Sequence, residues 1–352
     1  MGTEYSATGA RQGEEIAAGG HAAGVRNELY RVALGGSERM AGFYNQNMRV
    51  DTPDGPVVVR IPITGADRMD LTIWPEAELM RAIDWTVERV PRVLFGSDEP
   101  RYQVLDWIDG ELLANVAPHG VRVPGHVVDD LGELFRQLGR VPLEWLPPLP
   151  LGWPADGDTA GFAYRLSNVT ADVLATFTPE FGDLFTALGF PKDPLEPILE
   201  RWSTLSPRPF RLLHTDLHRQ NMIVKAGETY FLDWELALWG DPVYDLAVHL
   251  HKMAYEPDEE RSARAAWHAS VPAEASTQWT SDLAIYLGHE RVKSAVVDTV
   301  RYTKLIAAGT ETPAAEAALL DKLTKKVNAA HAVWGIGHVI SRQDVELLIE
   351  RR

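Results

Sequence analysis

The chain contains no cysteine. Disulfides and cysteine-ligated zinc or iron–sulfur sites are thereby excluded, and any metal must bind through oxygen or nitrogen ligands. It also lacks a run of eighteen apolar residues that could span a bilayer, and its N-terminus has neither the basic region nor the apolar core of a signal peptide. A cytoplasmic protein is expected. Basic residues are scarce: 34 Lys and Arg stand against 50 Asp and Glu, a net charge of −16. Such a surface repels nucleic-acid phosphates and anionic lipids, so neither nucleic acid nor membrane is expected as a partner. The opening "MGTEYS" fits a myristoylation pattern, but no polybasic patch follows it. Lysine is absent before Lys192.

At 352 residues, 45% of them apolar, the chain exceeds the roughly 250–300 at which single cores stop growing, which points to two lobes. Residues 1–24, rich in Gly and Ala, are expected to form a loose tail. From residue 38 to 106, β-branched runs flank Asp54-Gly55 and are followed by "RVLFGS" and "RYQVLDWI", a small sheet. Between them, "WPEAELMRAIDWTVE" predicts one inserted helix with Pro75 in its first turn. Beyond "DGELL" the apolar spacing becomes helical, interrupted by a Pro-rich connection over 142–160 and by two β-runs, "RLLHTDL" and "MIVKAGETYFLDWE". Residues 155–192 carry no pattern that can be matched to a known family.

The densest chemistry lies in "HTDLHRQN", followed by "FLDWE". Asp216 precedes Asn221 by five positions, and Asp233 ends the next strand. HxDxxxxN with a following strand-end Asp is the layout of a phosphoryl-transfer centre. Such chemistry needs a carboxylate to orient a hydroxyl and accept its proton, for which Asp216 suits, and oxygen ligands for Mg²⁺, for which Asn221 and Asp233 suit. A competing reading places His214, Asp216 and His218 on one face of an extended strand as the metal cluster of a hydrolase. That enzyme would have no use for Asn221.

Together "LLHTDLHRQNMIV", "FLDWELALWGDPVYDLA", "VVVRIP" and "YQVLDWIDGE" resemble the aminoglycoside phosphotransferase and choline kinase-like family. The resemblance covers most of 38–255. It implies an α+β, bilobal, protein-kinase-like fold: a nucleotide-binding lobe over 25–106 with a small β-sheet and one helix, and a mostly helical lobe over 107–352 carrying the catalytic loop and acceptor site. It further implies ATP or GTP as donor, Mg²⁺, and a small-molecule hydroxyl as acceptor. Arg60 stands where the family places its phosphate-binding basic residue; the alternative is an exposed strand charge. The helix partner is Glu78 or Glu76, with Glu78 favoured. Gly42 and Asn45 match the loop over the phosphates, although GxGxxG is missing, and backbone groups at Asp106 and Ile108 would bond the purine. Tyr102 and Trp107 are equally readable as packing.

His214 reads as a structural histidine bonding backbone at the strand end, and Asp245 as a structural carboxylate bonding the catalytic loop. Asp241 reads as the N-cap of the next helix. His218 and Glu235 remain open between substrate contact and loop architecture. Residues 226–260 hold nine acidic residues and one basic, Lys252. That balance suits a cationic acceptor, an amino-sugar or aminoglycoside-type antibiotic (hence resistance or self-protection), with a metabolic kinase for choline, hexosamine or homoserine as the alternative. A pseudokinase binding module is the non-enzymatic one.

Overall fold

The computed structural model describes residues 28–36, 39, 40 and 42–352; the expected tail over 1–24 lies outside them. The chain divides into two compact units. The smaller comprises residues up to Arg68 together with Pro91–Asp109, and the larger comprises Met69–Val90 and Gly110–Arg352.

The smaller unit is one antiparallel sheet of five strands, β1 (Arg39–Met40), β2 (Asn45–Thr52), β3 (Gly55–Pro62), β4 (Val93–Asp98) and β5 (Arg101–Asp106), in the order β1-β2-β3-β5-β4. Period-two alternation sets its faces. Met48 and Val50 of β2 turn inward against Val59, Ile61, Tyr102 and Val104, while Arg49 and Asp51 pair on the outer face at 3.0 Å. Helix α1 (28–35) closes the apolar face with Leu29, Tyr30 and Ala33. Tyr102 and Trp107 are both engaged in packing, Tyr102 against the rings of Tyr30 and Phe95, and Trp107 under the Arg49 guanidinium at 5.1 Å.

The larger unit is helical, with two small sheets. Its helices are α2 (Glu76–Ile83), α3 (Leu113–Val116), α4 (Gly125–Leu138), α5 (Thr159–Ala187), α6 (Glu196–Trp202), α7 (Pro242–Met253), α8 (Pro257–Ser270), α9 (Trp279–Ala308), α10 (Pro313–Val333) and α11 (Arg342–Glu350). Strands β6 (Glu111–Leu112), β8 (Met222–Lys225) and β9 (Glu228–Phe231) form one sheet, and β7 (Arg211–Leu213) pairs with β10 (Leu238–Gly240). Phe177, Phe181 and Phe185 of α5 pack with Val296 and Val300 of α9 and Leu320 and Leu323 of α10.

Two elements depart from the sequence expectation. Helix α2, expected as an insert of the small sheet, belongs to the larger unit. The segment around it is tied there by hydrogen bonds: Glu88 N donates to Gln137 Oε1 at 2.8 Å, Arg89 pairs with Asp130 at 2.5 Å, and Phe231 N donates to Arg89 O at 2.9 Å. The stretch 155–192, without a family pattern, is mostly the 29-residue helix α5, which carries Pro179 in its interior.

Candidate active site

The catalytic-loop residues lie between β7 and the β8–β9 hairpin. Ala226 and Gly227 both take positive φ, 51° and 81°, in the two-residue turn that keeps β8 and β9 in tight register, with Met222 opposite Phe231. That register continues one step, as Leu232 N donates to Asn221 O at 2.9 Å. Asn221 therefore lies opposite Leu232, the residue that precedes Asp233. Asp233 itself adopts φ 63°, a left-handed conformation that Asp tolerates better than most residues.

Asp216 and Asn221 are both buried, and the Asn221 amide nitrogen donates to the Asp216 carbonyl at 3.0 Å and to its Oδ2 at 2.8 Å. Because the nitrogen is committed there, the amide's Oδ1 faces away from Asp216. The Asp216 Oδ1 pairs with the Lys252 ammonium of α7 and lies 3.5 Å from His218 Nε2. Burial alone would raise the Asp216 pKa; Lys252 and His218 outweigh it and hold the carboxyl well below the usual carboxylate range. The Asp216 carboxyl is thus ionised at neutral pH.

His214 is fully buried, its ring tilted against that of Trp234 with centroids 4.4 Å apart. Its Nε2–H donates to Leu232 O at 3.1 Å, so Nδ1 is the acceptor for Asp216 N at 3.3 Å. Burial pushes its pKa down to about 4, against the pull of Asp216 and Asp233. Both ring nitrogens are occupied by backbone, which removes His214 from the hydrolase-type cluster; among the described residues no group of three His, Asp or Glu could hold a metal. Asp245 accepts from His214 N at 3.0 Å and Thr215 N at 2.7 Å, bracing the loop where Thr215 takes φ 58°. Desolvation drives the Asp245 pKa up to about 6 although these two backbone donors lower it. His249 of α7 donates from Nδ1 to Leu217 O at 3.0 Å, and Arg219 reaches the carbonyls of Ala117, Val121 and Met253.

Asp241 caps α7 by accepting from Val243 N at 3.0 Å. Sequence reading missed its second task. Arg208 binds both Asp241 oxygens, at 2.9 and 2.5 Å, and Asp282 at 2.6 Å, all three side chains being buried.

Glu78, the favoured helix carboxylate, is exposed; Glu76 is the one turned inward, its Oε1 accepting from Trp234 N at 3.0 Å directly after Asp233. The two differ by two positions, about 200° around a helix, so only one can face the β9 exit. Within the smaller unit, Arg60 is 5% exposed, which overturns the exposed-charge alternative. Gly42 and Asn45 approach so closely that a Cβ on Gly42 would sit 2.5 Å from Asn45 O, a contact only glycine permits. Asp106 N is used by Arg92 O at 3.0 Å and its carboxylate by Arg92 Nε at 2.7 Å, while Ile108 lies partly buried two residues on. Glu235 is partly buried.

The acidic surplus of 226–260 is largely committed to structure. Besides Asp241 and Asp245, Asp258 pairs with Arg122, Glu260 with Arg264, and Glu256 and Glu259 form the capping box of α8. A negative acceptor cleft does not follow from the count.

A small antiparallel sheet unit, a helical unit, and a loop assembling Asp216, Asn221 and Asp233 define the class of kinase-like small-molecule phosphotransferases. The model of the APH phosphotransferase enzyme family matches residues 37–279, and the chain belongs to that family. No curated protein sequence matches it. Among solved structures, the aminoglycoside phosphotransferase APH(4)-Ia is similar over 90% of this chain and 99% of its own, with a TM-score of 0.56 and 16% identity. A choline/ethanolamine kinase family protein from Mesorhizobium loti aligns over 90% and 92% (TM-score 0.55, 15% identity). Spectinomycin phosphotransferase APH(9)-Ia, solved with ADP and spectinomycin, aligns over 84% and 92% (TM-score 0.52, 12% identity). At these identities the likeness is one of fold.

Proposed function

We propose that the protein transfers the γ-phosphoryl group of ATP, or of GTP, to a hydroxyl of a small molecule. One observation supports the reading: the Asn221 amide nitrogen binds the ionised Asp216 carboxylate, and the β8–β9 pairing runs on to join Asn221 with Leu232, the residue before Asp233. Asp216 orients the acceptor hydroxyl and takes its proton. The acceptor oxygen bonds to the γ-phosphorus, the bond to the β–γ bridging oxygen breaks, and the nucleoside diphosphate leaves with that electron pair. Asn221 Oδ1 and the Asp233 carboxylate are hard oxygen donors suited to Mg²⁺. Bound there, the ion would offset the charge of the triphosphate. Arg60 is the proposed phosphate-binding cation, and Asn45 with Gly42 the phosphate-loop turn. Glu76 replaces Glu78 as the carboxylate of α2.

An amino-sugar or aminoglycoside acceptor rested on the acidic segment, six of whose nine carboxylates are occupied as described above. The hydroxyl, and not a cationic group, is what this geometry supports. The experiment is nucleotide consumption with ATP and GTP across a panel of small alcohols, comparing wild type with Asp216→Asn and Asp233→Ala. Asp216→Asn should lower kcat by roughly 10²–10⁴, as for loss of a positioned base, with nucleotide binding retained. Asp233→Ala should weaken Mg²⁺-dependent nucleotide binding as well. Normal turnover in Asp216→Asn would refute the assignment.

A further inference from the structure

The two oxygens of Asp216 face unlike neighbours. Oδ2 meets the Asn221 amide, on the side of the proposed metal ligands. Oδ1 meets a cation, Lys252, with the His218 ring beside it. The Lys252 side chain is 28% exposed, so a solute can reach it.

The buried carboxylates of α9 and of the segment before α2 already have cationic partners. Asp298 pairs with Lys326 and Arg301, and Asp70 with Lys293 at 3.3 Å and Arg301 at 3.2 Å. Lys252 differs from these in that its carboxylate is the one assigned to take the acceptor's hydroxyl. An ammonium group on the acceptor would meet Lys252 as a like charge, whereas an anion could share its ammonium, which has three donors and uses one on Asp216.

We propose that the acceptor carries an anionic group, a carboxylate or phosphate close to its reacting hydroxyl, and that Lys252 engages that group while Asp216 holds the hydroxyl. The inference rests on the phosphotransferase reading above. It also sets a length. Hydroxyl and anion must each lie about 2.8 Å from groups that touch one another, so they sit at most roughly 8 Å apart, a limit that a hydroxy acid or a sugar acid meets. Lys252 is thereby a specificity-determining residue.

The test compares matched compounds differing only in charge: glycerate, glycerol and 2-amino-1,3-propanediol, and glucuronate, glucose and glucosamine. For each, nucleotide consumption is measured against acceptor concentration above the rate with water alone, in wild type, Lys252→Met and Lys252→Arg. The carboxylates should stimulate saturably, with half-saturation at least about tenfold below that of their amine counterparts. Because Lys252 also holds Asp216, the readout is the difference between matched compounds: Lys252→Met should raise the carboxylate half-saturation about tenfold more than that of the neutral compounds, and Lys252→Arg should restore most of the preference. Preference for the amines, or no response to either carboxylate while water is still phosphorylated, overturns the proposal alone. So does an equal fall in kcat for carboxylate, neutral compound and water in Lys252→Met, which would put the ammonium on the transferring phosphoryl group. Absence of nucleotide turnover in wild type under every condition refutes the phosphotransferase reading and this proposal with it.

Discussion

Replacing Asp245 by Asn separates two opposed contributions of one buried carboxylate. The carboxylate accepts from both His214 N and Thr215 N. Asn can accept from only one, and its NH₂ would face the other donor. Losing a hydrogen bond to a charged group costs about 1.5–3 kcal/mol, and stranding a buried N–H costs about 1–3 more. Against this, the ionised Asp245 is itself penalised, since burial raises its pKa from 3.8 to about 6. That is about 3 kcal/mol at pH 7.5, which Asn does not bear. The sign in pH follows. Because the folded pKa is the higher one, the native state binds more protons than the unfolded state between about pH 4 and 6, so wild-type stability from this group rises on acidification and falls as pH climbs to 6. Asn does not titrate, so the wild-type-minus-variant difference in urea unfolding isolates Asp245. That difference should be larger at pH 5 than at pH 7.5 by about 1 kcal/mol. A difference that is flat, or that shrinks at pH 5, would mean that the two backbone donors keep the carboxylate ionised and that the desolvation argument is wrong.

Arg208→Met should cost about 3–5 kcal/mol in the same unfolding assay, because it leaves Asp241 and Asp282 buried without their cation; a loss under 1 kcal/mol would show that water reaches the cluster. Arg60→Ala should raise the KM for nucleotide and lower kcat, with Arg60→Lys recovering part of both, and unchanged nucleotide kinetics would remove Arg60 from phosphate binding.

Elements with local signatures were legible in the sequence. Asp54-Gly55 marks a turn, Asp241-Pro242 a helix start, and the spacing of Asp216, Asn221 and Asp233 a chemistry, each within a few residues of chain. What escaped depends on distant partners. Arg208 looks like any loop arginine until α9 brings Asp282 to it from 74 residues away. Glu76 and Glu78 are indistinguishable by composition, and only the rotation of α2 toward Trp234 separates them. Helix α5 was hidden by Gly161, Pro179 and Gly182, which lower helix propensity, yet Phe162, Leu166, Thr170, Val173, Phe177, Phe181 and Leu184 recur at three- and four-residue steps and could have revealed it. Lys252 was visible as the sole basic residue of its segment. Its spacing from Asp245 and His249, seven and three residues, places all three on one helix face, a signal that was available and outweighed by the acidic count.

That face of α7 is in effect a template for the loop. Asp245 holds residues 214 and 215, Lys252 holds 216, His249 holds 217, and the Met253 carbonyl at the helix end receives Arg219. The contacts follow loop order approximately while running along one stripe of helix, so their common variable is angular phase. Inserting one residue between Asp245 and His249 would rotate everything after it by about 100°, breaking the later contacts together while leaving the loop's own sequence untouched. For protein engineering, the transplantable unit is consequently larger than HxDxxxxN: residues 214–221 moved to another scaffold without a helix of matching phase would carry the reacting groups but not the shape that aligns them.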